Sequence, residues 1–226
     1  GFNVSLFLNM FNYNTLAENI EAERIKHLFA AIDTNDVEFV TRRLFEAQQM
    51  VSQYEDSDDI HAALNGDLDE LKKTLIQVIS ASHPSDPSTI ANDQYDHCHT
   101  FLSHFDGNKY TFNYDLLLYW VLMHFMDHEE KKLPSDDGFR YDRMADIEDM
   151  DLSLYWEIGR EQKQNLFYIH GAMHIFSDGA EIEKLSYNNV GLRLAEQVQA
   201  AINEDKFPVF ISEGTTEHKL ARIKKN

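Results

Sequence analysis

With 226 residues, 43% of them hydrophobic, the chain can fill one sizeable core, as a single domain or a domain carrying an insertion. A formal net charge of −19 opposes nucleic-acid binding, which rests on Lys and Arg displacing counterions from phosphates, and it disfavours anionic lipid surfaces. The single cysteine, Cys98, excludes an internal disulfide and a multi-cysteine zinc site and fits a reducing, cytoplasmic setting, while the longest apolar run, Leu116 to Met123, is less than half a membrane span.

The chain opens Gly1-Phe2-Asn3 without an initiator Met, as a fragment or the ordered part of a longer protein would. Residues 16 to 105 carry apolar positions at helical intervals. Leu16, Ile20, Ile25, Leu28, Phe29 and Ile32 form one stripe, and Val37, Val40, Leu44, Val51 and Tyr54 a second, with Asn35 and Glu38 spaced as a capping box. Leu68, Leu71, Leu75, Val78 and Ile79 predict a third helix. A fourth is predicted through Ile90, Tyr95, Cys98, Phe101, Leu102 and Phe105, with Pro87 at an early helical position.

Beyond residue 105 the pattern changes to strand, polar tip and helix. Tyr110-Thr111-Phe112 runs into Asn113-Tyr114-Asp115, Phe167-Tyr168-Ile169 into His170-Gly171, and Val209-Phe210-Ile211 into Ser212-Glu213-Gly214-Thr215-Thr216. Residues 109–111, 166–169 and 209–211 are therefore expected to be neighbouring parallel strands whose carboxyl ends line one crevice, the place where open α/β sheets bind ligands. Residues 115–126 are apolar almost all round, as in a helix buried between layers. Residues 127–151 hold ten acidic and four basic side chains around Pro134 and Gly138 and read as a solvated loop or insertion. Residues 187–203 predict an amphipathic helix, and Pro208 belongs at the start or edge of its strand because it has no N–H to donate.

Three of these segments can carry chemistry. Asn113 and Asp115 place an amide beside a carboxylate where a ligand would meet the sheet, able to hold sugar hydroxyls; the same side chains are also favoured caps for the helix that follows. His170 offers a base for neutral pH, and Gly171 lets a ligand approach the backbone. His174, four residues on, would share a helix face with His170, yet the pair lacks a third metal ligand with recognisable spacing. His97-Cys98-His99 reads as structure, since Cys98 lies in an apolar stripe. Ser212, Gly214 and Thr215 offer hydroxyls and N–H groups to a phosphate or ribose, or an ordinary helix cap.

Thr111-Phe112-Asn113-Tyr114-Asp115 resembles the Thr-Thr-Asn-Tyr-Asp motif of bacterial sirtuin-like NAD-binding domains, and Ile169-His170-Gly171 resembles their Leu-His-Gly motif. A bacterial family of unknown function within that superfamily reads similarly at 113–120, 170–176 and 212–220. Its members typically open with Gly-Asn-Gly-Phe-Ser or Gly-Asn-Gly-Phe-Asn after a first strand, and Gly1-Phe2-Asn3 is similar to the tail of that motif. The resemblance implies an α/β fold with a sirtuin-like, Rossmann-type parallel sheet and a large helical insertion at about 16–105, the whole chain being one domain. It implies NAD as substrate or ligand, and NAD+ glycohydrolase activity of the kind used by phage-defence effectors. In that reading Asn113 positions the nicotinamide ribose or attacking water and His170 is the base. Gly1, Phe2, Asn3, Thr111, Asp115, Gly171, Ser212, Gly214 and Thr215 line the dinucleotide. Such an effector must be silenced until triggered, which calls for a homo-oligomer or a regulatory partner protein. Phe112 departs from the Thr or Gln of relatives, and Cys98 alone cannot build the four-cysteine zinc module of the deacetylating sirtuins, so no metal and no deacetylase activity are expected. A module that senses NAD or ADP-ribose without chemistry is the alternative.

Overall fold

The computed structural model describes residues 13–54, 57–141, 154–157, 163–177, 182–186, 193–204 and 206–210. These fall into two compact units, one ending at residue 82 and one beginning at residue 83.

The first unit is helical: α1 (Tyr13–Glu18), α2 (Glu23–Ile32), α3 (Val37–Val51) and α4 (Asp58–Ser82). The first predicted stripe is divided between two helices by the turn at residues 19–22. A residue in the left-handed region ends α2. Asp33 has φ 55°, its N–H donates to the Ala30 carbonyl, and the Thr34 N–H donates to the Phe29 carbonyl, the arrangement that satisfies free carbonyls at a helix end. Asp36 rather than Asn35 caps α3, accepting from the Phe39 N–H at 3.1 Å. Ile25, Phe29, Val40, Leu44, Leu71 and Ile76 are among the buried residues of this unit. Asp67 is buried as well and is held by the guanidinium of Arg24 through both carboxylate oxygens.

The second unit begins with a 3-10 turn at Pro87–Thr89 and α5 (Asn92–Ser103). Pro87 thus opens the turn and not the helix. Tyr95, Cys98 and Leu102 are buried as their spacing predicts, whereas Phe101 and Phe105 lie exposed and packed on each other at 5.3 Å. Burial pushes the Cys98 thiol up to about 12, so it stays protonated and inert.

Then follow β1 (Lys109–Thr111), α6 (Leu117–His124), β2 (Phe139–Tyr141), β3 (Leu154–Trp156), β4 (Leu166–Tyr168), β5 (Gly171–Ser177), β6 (Ile182–Lys184), α7 (Leu194–Asn203) and β7 (Pro208–Phe210). α6 is buried along Leu117 to Leu122, as its all-round apolar pattern requires, and each such side chain contributes about 1.5–3 kcal/mol. β1 and β4 pair in parallel, with Lys109 opposite Leu166 and Thr111 opposite Tyr168. The other strands form a separate antiparallel sheet in the order β2-β3-β6-β5-β7. The fold is mixed α/β, with a small parallel sheet and a distinct antiparallel one.

Two expectations are corrected. The strand at Val209 is not a parallel neighbour of the other two: β7 runs antiparallel to β5. The segment after His170 is a strand, not a helix. Gly171–Ser177 is buried on both faces from Gly171 to Phe176, so it shows neither the alternation of a half-buried strand nor a one-sided helical stripe.

The acidic loop is also only partly solvent-facing. Asp136 accepts from the N–H groups of Asn165 and Leu166 through its carbonyl, while its own N–H donates to the Asn165 side chain, which fastens the start of β4. Asp137 accepts from the Phe139 N–H and pairs with Lys184 of β6. Gly138 between them has φ 86°, and a Cβ there would collide with the Trp156 ring. Gly138→Ala should therefore lower stability by about 3 kcal/mol, from left-handed strain plus overpacking. Thermal unfolding measures this, and a melting temperature unchanged from the parent contradicts it.

Candidate functional site

The exit from β1 is built by short-range chemistry. The Thr111 hydroxyl accepts from the Asn113 N–H at 3.1 Å, a local turn that carries the chain off the strand, and the Thr111 carbonyl accepts from the Ile169 N–H at 3.0 Å. One ladder bond beyond the strands thus joins the two tips. The Tyr114 carbonyl then accepts from the Met173 N–H at 2.8 Å, which ties the same loop to β5. Residues 112–114 are held between the end of β4 and the start of β5.

His170 sits in that bracket. The Phe112 ring meets it edge-on at 4.9 Å between centroids, the Tyr114 ring lies nearly parallel at 5.9 Å, and the Tyr114 hydroxyl is 3.4 Å from Nδ1. Gly171 follows with φ 78°, a conformation that side chains rarely adopt, and there the chain turns into β5. Asn113 and His170 are both half-buried, while Phe112 is 60% exposed. Thr111, Asn113, His170 and Gly171 are therefore assembled at one edge from residues nearly sixty positions apart in sequence. A half-buried imidazole between two rings can take a proton from a water or hydroxyl held at the tip.

Asp115 faces inward. It is 5% exposed, and its Oδ1 accepts from the Leu117 N–H at 2.9 Å, at the start of α6. The neighbouring Leu116 N–H donates to His83 Nε2 at 3.1 Å, and His83 Nδ1 lies 2.9 Å from the Pro84 carbonyl. Because Nε2 accepts and Nδ1 donates, His83 is a neutral imidazole, and its burial pushes the pKa down to about 4. Two free N–H groups of α6 are thus satisfied by Asp115 and His83.

Behind the tip lies a buried polar layer. His174 is 0% exposed, stacked on Tyr119 at 4.8 Å and met edge-on by Tyr168 at 5.3 Å. Neither His174 ring nitrogen, the Tyr168 hydroxyl nor the Trp120 indole N–H has a hydrogen-bond partner among the described residues. Burial holds the imidazole well below its ordinary range and the phenol well above. His170 and His174 do not share a helix face, since His170 occupies the tip and His174 the interior of β5. Among the described residues no group of three or more His, Cys, Asp or Glu side chains is placed to hold a metal ion.

Gly1, Phe2, Asn3, Ser212, Gly214 and Thr215 lie outside the described residues. Tyr114 and His83 are contributions that motif spacing does not single out. Tyr114 was visible only as the middle of Asn113-Tyr114-Asp115, and His83 only as a histidine before Pro84. No helix among the described residues is long and apolar enough to cross a membrane.

A family model described as domain of unknown function (DUF4917) matches residues 1–226. No curated protein and no solved structure matches the chain.

His83 makes stability depend on pH. Its folded pKa of about 4 lies below the ordinary 6.5, so the unfolded chain takes up the proton first as pH falls. The contribution is complete above pH 6.5 and is lost between there and pH 4, at about 3 kcal/mol in all. His174 acts in the same direction. In His83→Gln the side-chain amide can accept from Leu116 and donate to Pro84 without titrating. Chemical denaturation between pH 4 and 7 should show a shallower loss of stability for the variant than for the parent; equal slopes contradict the assignment.

Proposed function

We propose that this chain, which belongs to the family of the domain of unknown function DUF4917, binds NAD at the paired tips of β1 and β4 and hydrolyses its N-glycosidic bond. The observation that carries the reading is the direct bond between the tips, Ile169 N–H to Thr111 carbonyl. It brings the Asn113 and His170 segments, each similar to a motif of sirtuin-like NAD-binding domains, to one edge.

The chemistry suits such an edge. The ribose C1′–N bond breaks as nicotinamide leaves with the bonding electrons, which neutralise its pyridinium charge, so the leaving group needs no proton. The ribose acquires oxocarbenium character, water adds at C1′, and the water proton passes to His170. Asn113 holds the ribose or the water in line, which supplies orientation. The Tyr114 hydroxyl near Nδ1 favours a ring orientation that turns Nε2 towards the reacting water. Asp115 supports the reaction indirectly, by fixing the start of α6 and with it the loop that carries Asn113.

Nicotinamide release by the full-length protein, with its activator where one is required, tests the reading. His170→Ala should lower turnover on the order of a hundredfold through loss of general-base catalysis, with unfolding unaltered because the residue sits at a tip. Asn113→Ala should do the same through loss of orientation. Parent-level turnover in both variants contradicts the mechanism. NAD binding without turnover under every activating condition assigns the site to sensing.

A further inference from the structure

A cavity of about 200 Å³ lies in the second unit between α6, the antiparallel pair β2–β3 and the ends of β4 and β6, and none of its lining residues belongs to the Thr111–His170 edge. Its apolar lining includes Leu122, Met123, Leu154 and Leu166. Its lining also holds Lys184, only 3% exposed. The Lys184 ammonium pairs with Asp137 and lies 4.6 Å from the centroid of Tyr119 and 5.4 Å from that of Phe139.

A buried lysine here needs a reason. Buried ion pairs add little stability over well-packed apolar side chains of similar size. An ammonium has three N–H donors, and Asp137 is its one hydrogen-bond acceptor among the described residues. Arg140 of the lining is itself paired with Asp136, and Lys184 is a lining cation with N–H donors left over among the described residues. The Tyr141 and Ser186 hydroxyls, hydrogen-bonded to each other at 2.9 Å, also line the cavity. The volume is below the roughly 300–1,000 Å³ of pockets for drug-sized ligands and suits a single ring.

We propose that this cavity binds a small aromatic carboxylate, the carboxylate on the Lys184 ammonium and the ring against Leu122, Met123 and Leu166. The site stands independently of NAD hydrolysis. Calorimetric titration with benzoate and its neutral isostere benzamide separates charge from shape. Benzoate should bind at least tenfold more tightly than benzamide, and Lys184→Met should remove that preference. Since Lys184→Met leaves Asp137 buried without its cation, Ser135→Trp at the exposed rim provides a second variant with the ion pair intact. It should weaken benzoate at least tenfold while the melting temperature is kept. Absence of benzoate binding at millimolar concentration, equal binding of benzoate and benzamide, or full benzoate affinity in folded Ser135→Trp protein each overturns the proposal. The parent comparison decides the matter even where a variant fails to fold.

Discussion

The pairing of β1 with β4 is the constraint on which the candidate site depends. Each strand is only three residues long, and isolated short strands are marginal in water. The pair persists because both ends are fastened. At the entrance the Asn165 carbonyl accepts from the Lys109 N–H at 2.7 Å while Asn165 itself is bonded to Asp136; at the exit Thr111 receives the Ile169 N–H. In-register parallel strands end side by side. Whatever chemistry the two tips carry is brought together by that register, and a slip by one residue would turn every side chain of the strand to the opposite face.

The helix behind the tip is fixed by polar groups in an apolar setting. α6 is buried from Leu117 to Leu122, so its entrance cannot rely on water to satisfy its free N–H groups. Asp115 and His83 take that role, and His83 must stay neutral for it, since a protonated Nε2 could not accept from Leu116. The loop from Thr111 to Asp115 is consequently anchored at both ends, by a ladder bond and by a helix cap. Pre-organisation of this kind would let an amide and an imidazole hold a ligand, in the proposed reading, without first ordering the chain.

Much of the helical architecture was legible because burial on one side of a helix leaves a periodic trace, as in Leu68, Leu71, Leu75 and Ile79. The all-round apolar stretch after Asp115 likewise announced a buried helix. The antiparallel sheet was not legible. Its longest strand is buried on both faces and so has no alternation, and its partners Phe139–Tyr141, Leu154–Trp156 and Ile182–Lys184 are three-residue segments, too short for any period to register. At the site, the convergence of Asn113 and His170 followed from their common position after apolar runs. The inward turn of Asp115 did not, because the same residue type serves a ligand and a helix cap equally well. Asp136 and Asp137 were hidden by composition, since a stretch dominated by acidic side chains masks the two that are held by Arg140 and Lys184.

The most direct measurement is a crystal structure of the full-length His170→Ala protein soaked with NAD, in which slowed turnover preserves the substrate. The account places the nicotinamide ribose within hydrogen-bond distance of the Asn113 side chain, with C1′ facing the space vacated by the imidazole at the joined tips of β1 and β4. A dinucleotide bound away from those tips would contradict it.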